Sequence, residues 1–372
     1  MSSHPLHFFK GRGAGSNPGV RFDAHQREVL APEEMEWPGD DDADKPNGPH
    51  RPKTTVILRQ ARSIISRNLS PDIGFEQSIN PYQGCEHGCV YCYARPAHAY
   101  LGLSPGLDFE TQIFAKTNAA ELLRAELAKP GYQPSLIVLG ANTDPYQPAE
   151  RKLGITRAVL EVLAECRMPV GIITKNALVT RDIDILGPMA QNGLLQVNVS
   201  VTTLDHSLAR KLDPRASSPT SRIQAIQELA QAGIPSGVFA SPMIPAINDV
   251  ELEKILEAAA GAGARYASYV LLRLPLEVRD LFVQWLQAHY PLRAEHVMHR
   301  VQDTRGGKDY ESQFTTRMKG RGLFADLLKQ RFTVALRRTG LQKLPGSWDV
   351  SQFKRPAVPR GEMFDAMQSS LF

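Results

Sequence analysis

Three of the four cysteines in this 372-residue chain, Cys85, Cys89 and Cys92, sit in the stretch NPYQGCEHGCVYCYARP, residues 80–96. Gly84 and Gly88 flank and interrupt them, letting the backbone curl so that the three sulfurs converge. Thiolates gathered at C-x3-C-x2-C spacing are metal ligands more readily than buried structural cysteines. A zinc site would need a fourth ligand, for which His87 and His98 are the nearby candidates. Structural zinc motifs generally pair two short clusters, however, and the remaining thiol, Cys166, lies alone in a helical pattern. An iron–sulfur cubane is the other option. Held by four cysteines it is closed and suited to carrying electrons; held by three it keeps one iron without a protein ligand, open to a small molecule. Three functions therefore compete at this point: a zinc-stabilised module, for example one that binds nucleic acid, an iron–sulfur electron carrier, and an enzyme that uses the open iron.

The loop resembles the signature of the radical S-adenosylmethionine (SAM) enzymes, C-x3-C-x-aromatic-C, with Tyr91 as the aromatic residue. The fuller stretch is similar to the branch related to spore photoproduct lyase, often described as DNA repair photolyase-like. The similarity continues through GANTDPYQPAE, ITKN, RDIDIL, VNVSVTTLD and SPMIPAIND, from Asn80 to about Tyr290. It implies a 4Fe–4S cluster on Cys85, Cys89 and Cys92, with SAM chelating the open iron and cleaved reductively to methionine and a 5′-deoxyadenosyl radical that abstracts hydrogen from a substrate. It also implies an external one-electron reductant, flavodoxin or ferredoxin, since a second cysteine cluster is missing, and it brings nucleic acid in as a substrate class.

Residue by residue, the resemblance places the Tyr91 backbone against adenine, Lys175 and Ser200 toward the SAM carboxylate or ribose, and Asn142, Thr143 and Asp144 toward the SAM amino group or ribose. Tyr93 reads as packing and His87 as a donor behind the ligands. Arg95 either offsets cluster charge or opens the following helix. Asp144 has an alternative reading as a turn cap and Ser200 as a satisfied core hydroxyl. One departure stands out: spore photoproduct lyases use an additional cysteine as hydrogen donor, and GANTD, the segment aligned with its neighbourhood, has none.

The elements that must position these residues are legible as an alternation. SLIVLGA, VGIITK, LLQVNVSV, SGVFASPMI and YASYVLLRL are short, apolar and β-branched or Leu-rich, as strands buried on both faces are. Amphipathic segments separate them, with capping residues at their starts and Gly193, Gly233 and Gly261 at their ends. With QSINPYQG as the first strand there are about six βα units. The expected fold is α/β, a partial (β/α)6 TIM-type barrel, and a doubly wound sheet would share its functional edge at the C-terminal ends of the strands. Pro242 and Pro245 are expected in a loop after a strand, with Asn248 and Asp249 capping the next helix.

Residues 54–300 form the expected core. Residues 1–53 read as an irregular, partly disordered extension with an acidic run at 33–44, although the basic KGRGAGSNPGVRF could wrap the body or touch a polyanion. Residues 301–372 read as a helical extension and surface tail, its helix packing through Leu327, Leu328, Phe332 and Leu336 with Arg337 and Arg338 outward. The formal net charge of +4 is too small to imply nucleic acid by itself. No apolar run suits a signal peptide or membrane span, so the expected location is the cytoplasm.

Overall fold

A computed structural model describes residues 8–22 and 52–357. The acidic run at 33–44 and most of the C-terminal tail lie outside the described residues. The strands are β1 (Thr55–Arg59), β2 (Ile65–Arg67), β3 (Gln77–Ile79), β4 (Tyr82–Gln83), β5 (Gln112–Lys116), β6 (Ile137–Leu139), β7 (Val170–Thr174), β8 (Leu195–Ser200), β9 (Ser236–Met243) and β10 (Tyr266–Leu271). The main sheet runs β10-β9-β8-β7-β6-β3-β2. Every pair from β3 to β10 is parallel, and only β2 is antiparallel to its neighbour.

These six parallel strands are the expected partial (β/α)6 array, open between β10 and β2. Ile172 of β7 faces Val197 of β8, and Val199 of β8 faces Val238 of β9. All four are fully buried, which is why the strands read as apolar runs rather than as alternations. A second sheet of order β1-β5-β4 was not anticipated; β1 is largely exposed, and β4 is two residues long.

Helices fill the crossovers: α1 (Ala119–Ala128), α2 (Ile155–Glu165), α3 (Ile183–Gln191), α4 (Pro219–Gln231), α5 (Leu252–Gly261) and α6 (Glu277–His289), followed by α7 (Ala294–Asp303) and α8 (Leu323–Thr339). Their starts follow capping chemistry. Ser218 accepts from the Ser221 N–H ahead of Pro219 at the first turn of α4.

Among the described residues three apolar clusters result, the smallest being Cys85, Ala94 and Phe109 at the cysteine loop. The largest lies between the sheet and its helices. The second joins Val90 and Tyr91 of the cysteine loop to Phe282, Trp285 and Leu286 of α6, so the C-terminal part of the barrel directly backs the loop. The Trp285 indole N–H donates to the Lys211 carbonyl at 2.9 Å.

Several local expectations change. Pro242 falls inside β9 rather than in the loop after it. Asn248 caps no helix: its side chain accepts from Ile244 N–H and donates to the Thr202 and Pro242 carbonyls, tying the ends of β8 and β9 together. In α8, Leu328, Phe332 and Leu336 are buried against the body, but Leu327 faces outward, 49% exposed, because the helix turns it away from the apolar stripe. Arg331 of the same helix pairs with Glu253 of α5 through two bonds of 2.7 Å. Residues 8–22 are irregular as expected, yet they pack on the body, with Arg12, Gly13 and Ala14 buried.

Candidate active site

The cysteine loop leaves the C-terminal end of β3. Gly84 and Gly88 both adopt left-handed backbone, φ +80° and +66°. A Cβ at Gly84 would lie 2.8 Å from the Gln112 carbonyl, and one at Gly88 would lie 2.8 Å from the Glu110 carboxylate. Glycine is thus required twice, for conformation and for close approach. Backbone bonds then pin the loop: Cys85 N–H donates to Phe109 O at 2.8 Å, and Val90 N–H to Leu212 O at 3.3 Å. Glu86 N–H donates to the Gln147 amide oxygen, whose NH2 returns a bond to the Gly84 carbonyl.

Cys85 and Cys89 are buried and Cys92 is partly so. Burial first, then Asp213, pushes the Cys89 thiol well up, and burial and then Cys85 raise Cys92. Buried thiols that hinder one another's ionisation suit a group that supplies positive charge. Among the described residues no three His, Cys, Asp or Glu side chains converge as for a single ion. The three thiols lie close enough to perturb one another and are the residues that would hold a metal group here.

The other strand ends bring the remaining predicted residues to the same edge. Lys175 follows β7, and its ammonium lies 5.7 Å from the Tyr91 ring centroid. Burial works against that charge, but the neighbouring Cys89 and Asp213 raise its pKa above the ordinary lysine value. Asp144, after β6, is a hub rather than a simple turn cap. One oxygen accepts from Lys175 N–H at 2.7 Å and lies 3.3 Å from His87 Nδ1; the other accepts from the Thr174 hydroxyl and Tyr146 N–H. Burial opposes ionisation of Asp144, yet His87 and these donors hold its carboxyl down at about 2.

Asn176 Nδ2 stands 3.3 Å from His87 Nε2, while its Oδ1 accepts from Leu178 N–H and the Ser217 hydroxyl. Burial works against a charge on His87, but Asp144 and Cys85 raise its pKa to about 10. Asn142 and Thr143 donate backbone N–H groups to the Asn80 side chain, and the Thr143 hydroxyl is spent on the Tyr82 carbonyl at 2.9 Å. Ser200 ends β8 in a buried position, and its carbonyl accepts from Arg222.

Asp213 and Arg273 escaped the sequence reading, and Arg95 and Tyr93 have contacts it did not give them. Asp213 is fully buried and accepts from Arg222 and Thr202, each at 3.0 Å, and from the Tyr91 hydroxyl. Arg95, also fully buried, donates to the Cys89 carbonyl at 2.9 Å and to Glu110, so it braces the loop rather than merely opening the following 3-10 helix. Tyr93 is not packing; it is half-exposed, with its hydroxyl on the Ala141 carbonyl at the end of β6. Arg273, just past β10, lies 5.5 Å from the Tyr93 ring. Asp213 sits in KLDPRAS, which reads as an ordinary turn, so its sequence carries no signal of burial.

Residues 79–259 match the family model described as the Radical SAM superfamily. This stretch is thus a radical SAM superfamily domain. Enzymes of this superfamily use a 4Fe–4S cluster and SAM. An uncharacterised protein of Mycobacterium bovis is 36% identical over 219 residues, 58% of this chain and 64% of that protein, so the chain spans under two thirds of that relative's length. A radical SAM Nα-GlyT isomerase of Pseudomonas phage M6 is 28% identical over 199 residues, 51% of this chain and 38% of the isomerase. Spore photoproduct lyase complexed with dinucleoside spore photoproduct shares the fold, with a TM-score of 0.55 at 15% identity over 78% of this chain and 80% of the lyase. Among the described residues no helix is long and apolar enough to cross a membrane.

Proposed function

We propose that this radical SAM protein is an enzyme that holds a 4Fe–4S cluster on Cys85, Cys89 and Cys92, binds SAM beside it and starts its reaction by hydrogen abstraction. The observation that carries the reading is the placement of three thiols, two buried and one partly so, at the edge where β3, β6, β7 and β8 end, beside Tyr91, Asp144, Lys175 and Ser200. Bound together, cluster and SAM supply a 5′-deoxyadenosyl radical.

The chain's own residues supply placement and exclusion of water. Lys175 is the cation positioned for the SAM carboxylate. Tyr91, locked by Asp213 and Thr202, presents its backbone and one ring face to the same space. The Asn142–Asp144 segment offers polar groups at the end of β6, and Asp144 fixes Lys175 by its backbone. A flavodoxin or ferredoxin provides the electron.

Cys166 ends α2 ahead of β7, at the opposite edge of the sheet from the cluster loop. It cannot replace the extra cysteine of the lyases, and the reaction ends by a different route.

Anaerobic reconstitution followed by dithionite and SAM tests the proposal. The expected product is 5′-deoxyadenosine, and a fully loaded cluster that yields none would refute it.

A further inference from the structure

The segment Arg12–Ser16 belongs to an extension that the chemistry above does not use, and it lies directly on the cysteine loop. A Cβ at Gly13 would sit 1.7 Å from the Gly88 carbonyl oxygen and 3.2 Å from Val90 N, so this backbone rests on the peptide between Cys85 and Cys89 with no room for a side chain. Its neighbours are clamped through one buried carboxylate. Glu110 accepts Gly13 N–H at 2.9 Å on one oxygen and Ala14 N–H at 2.8 Å on the other. The same oxygen that takes Ala14 also takes Arg95 at 2.5 Å, and Arg95 in turn holds the Cys89 carbonyl.

The clamp is anchored at both ends. Arg12 donates to the Glu110 carbonyl at 2.9 Å, and to the Pro52 carbonyl and Thr54 hydroxyl where the chain enters β1. The Ser16 carbonyl accepts Leu107 N–H at 3.2 Å, and its hydroxyl donates to Gln284 of α6. The strap thus ties the loop to the entry of β1 and to α6.

We propose that residues 12–16 are a positioning strap for cluster retention: by holding the Gly88 and Cys89 peptides against Glu110 and Arg95, they keep the three thiols in their cluster-binding arrangement. This inference rests on the cluster assignment above. It predicts that the strap acts on the loop locally and is dispensable for the βα core, whose apolar contacts do not include it.

The test uses the full chain, reconstituted anaerobically, with Gly13→Ala and, as a second variant that leaves Gly13 intact, Arg12→Met. Iron release to a ferrous chelator is followed by the loss of cluster colour, alongside the melting temperature of the metal-free protein and the electron paramagnetic resonance (EPR) spectrum of the reduced cluster. Both variants should release iron at least about tenfold faster than wild type, the change expected when buried charge-assisted hydrogen bonds are lost, with a shifted EPR signal and an unchanged melting temperature. Wild-type release rates and spectra in folded variants would overturn the proposal. So would failure of both variants to fold, which would make the strap a folding element. Wild-type protein that takes up no iron removes the cluster assignment and this inference with it, whereas a loaded wild type beside equally retentive variants removes this inference alone.

Discussion

Asp213 and Arg222 form a buried ion pair behind the Tyr91 hydroxyl, both essentially without solvent exposure. Asp213→Asn keeps the shape and removes the charge, leaving the Arg222 guanidinium in the interior with only the Ser217 and Ser200 carbonyls, at 2.8 and 3.1 Å. Removing one partner of a buried pair costs about 3–5 kcal/mol, because the remaining charge stays desolvated without its counter-charge. The two retained carbonyl bonds put the expected cost at the low end, about 3 kcal/mol. With an unfolding entropy of about 2.1 cal/mol/K per residue, a chain of 372 residues should lose about 4 °C in melting temperature. Scanning calorimetry of the metal-free protein measures this. The decisive control is Asp213→Leu with Arg222→Met: removing both charges abolishes the stranded cation, so the double variant should melt above Asp213→Asn. A single variant that melts within about 1 °C of wild type, or a double variant less stable than the single, would refute the reasoning.

Cys89→Ala should abolish retention of iron while leaving the circular dichroism spectrum unchanged, since the βα core is built on other residues; iron analysis checks it. Lys175→Met should weaken SAM binding by roughly 10–150-fold, the value of one charge-assisted hydrogen bond, read from the change SAM causes in the EPR signal of the reduced cluster. Lys319 makes a pH prediction away from the site. Burial, then the charge of Lys343, pushes its ammonium down to about 8. Between that value and the ordinary 10.5 the unfolded chain binds more protons than the folded one, so stability rises with pH through this window, and the full penalty applies below it. Lys319→Met should therefore stabilise the protein at pH 7, by at most about 3 kcal/mol, and the gain should fade above pH 10; melting curves at both pH values decide it.

What was legible in the sequence follows from how local its cause is. Strands β7 and β8 are buried on both faces and announce themselves as apolar runs. The cysteine loop announces itself because its ligands lie within one turn-rich segment. The β1-β5-β4 sheet did not, because Val56 and Leu58 of β1 are exposed and nothing in TVILR says which strand it will meet 57 residues later. Lys175 and Asp144 were found as strand-end polar groups, but the hub role of Asp144 depends on His87, which arrives from another loop. Asp213 meets Tyr91 across 122 residues and Glu110 meets Arg12 across 98, and a lone acid in a turn-like DPR or DFET context gives no sign of such partners. Arg12 and Gly13 carried the weakest signal, since a Gly-rich basic segment has the composition of a solvated tail; only the fit of Gly13 against Gly88 distinguishes it.

The hydrogen bonds around the loop also fit the proposal that three cysteines alone would hold the cluster although acids lie close by. Glu110 is occupied by Arg95 and two strap N–H groups, Asp144 by His87, Thr174 and two backbone donors, and Asp213 by Arg222, Thr202 and Tyr91. Each carboxylate would have to abandon buried donors to reach a metal, at a cost of roughly 1–3 kcal/mol for every group left unpaired. The acids therefore anchor the walls, and in the proposed cluster one iron would be left without a protein ligand. Lys175 is the complement to that arrangement. Its charge is felt by Cys89, Cys92 and Asp213, yet among the described residues it makes no close ion pair of its own. A partly buried ammonium without a dedicated carboxylate, beside the proposed cluster site, is the position in which an incoming ligand's carboxylate gains most.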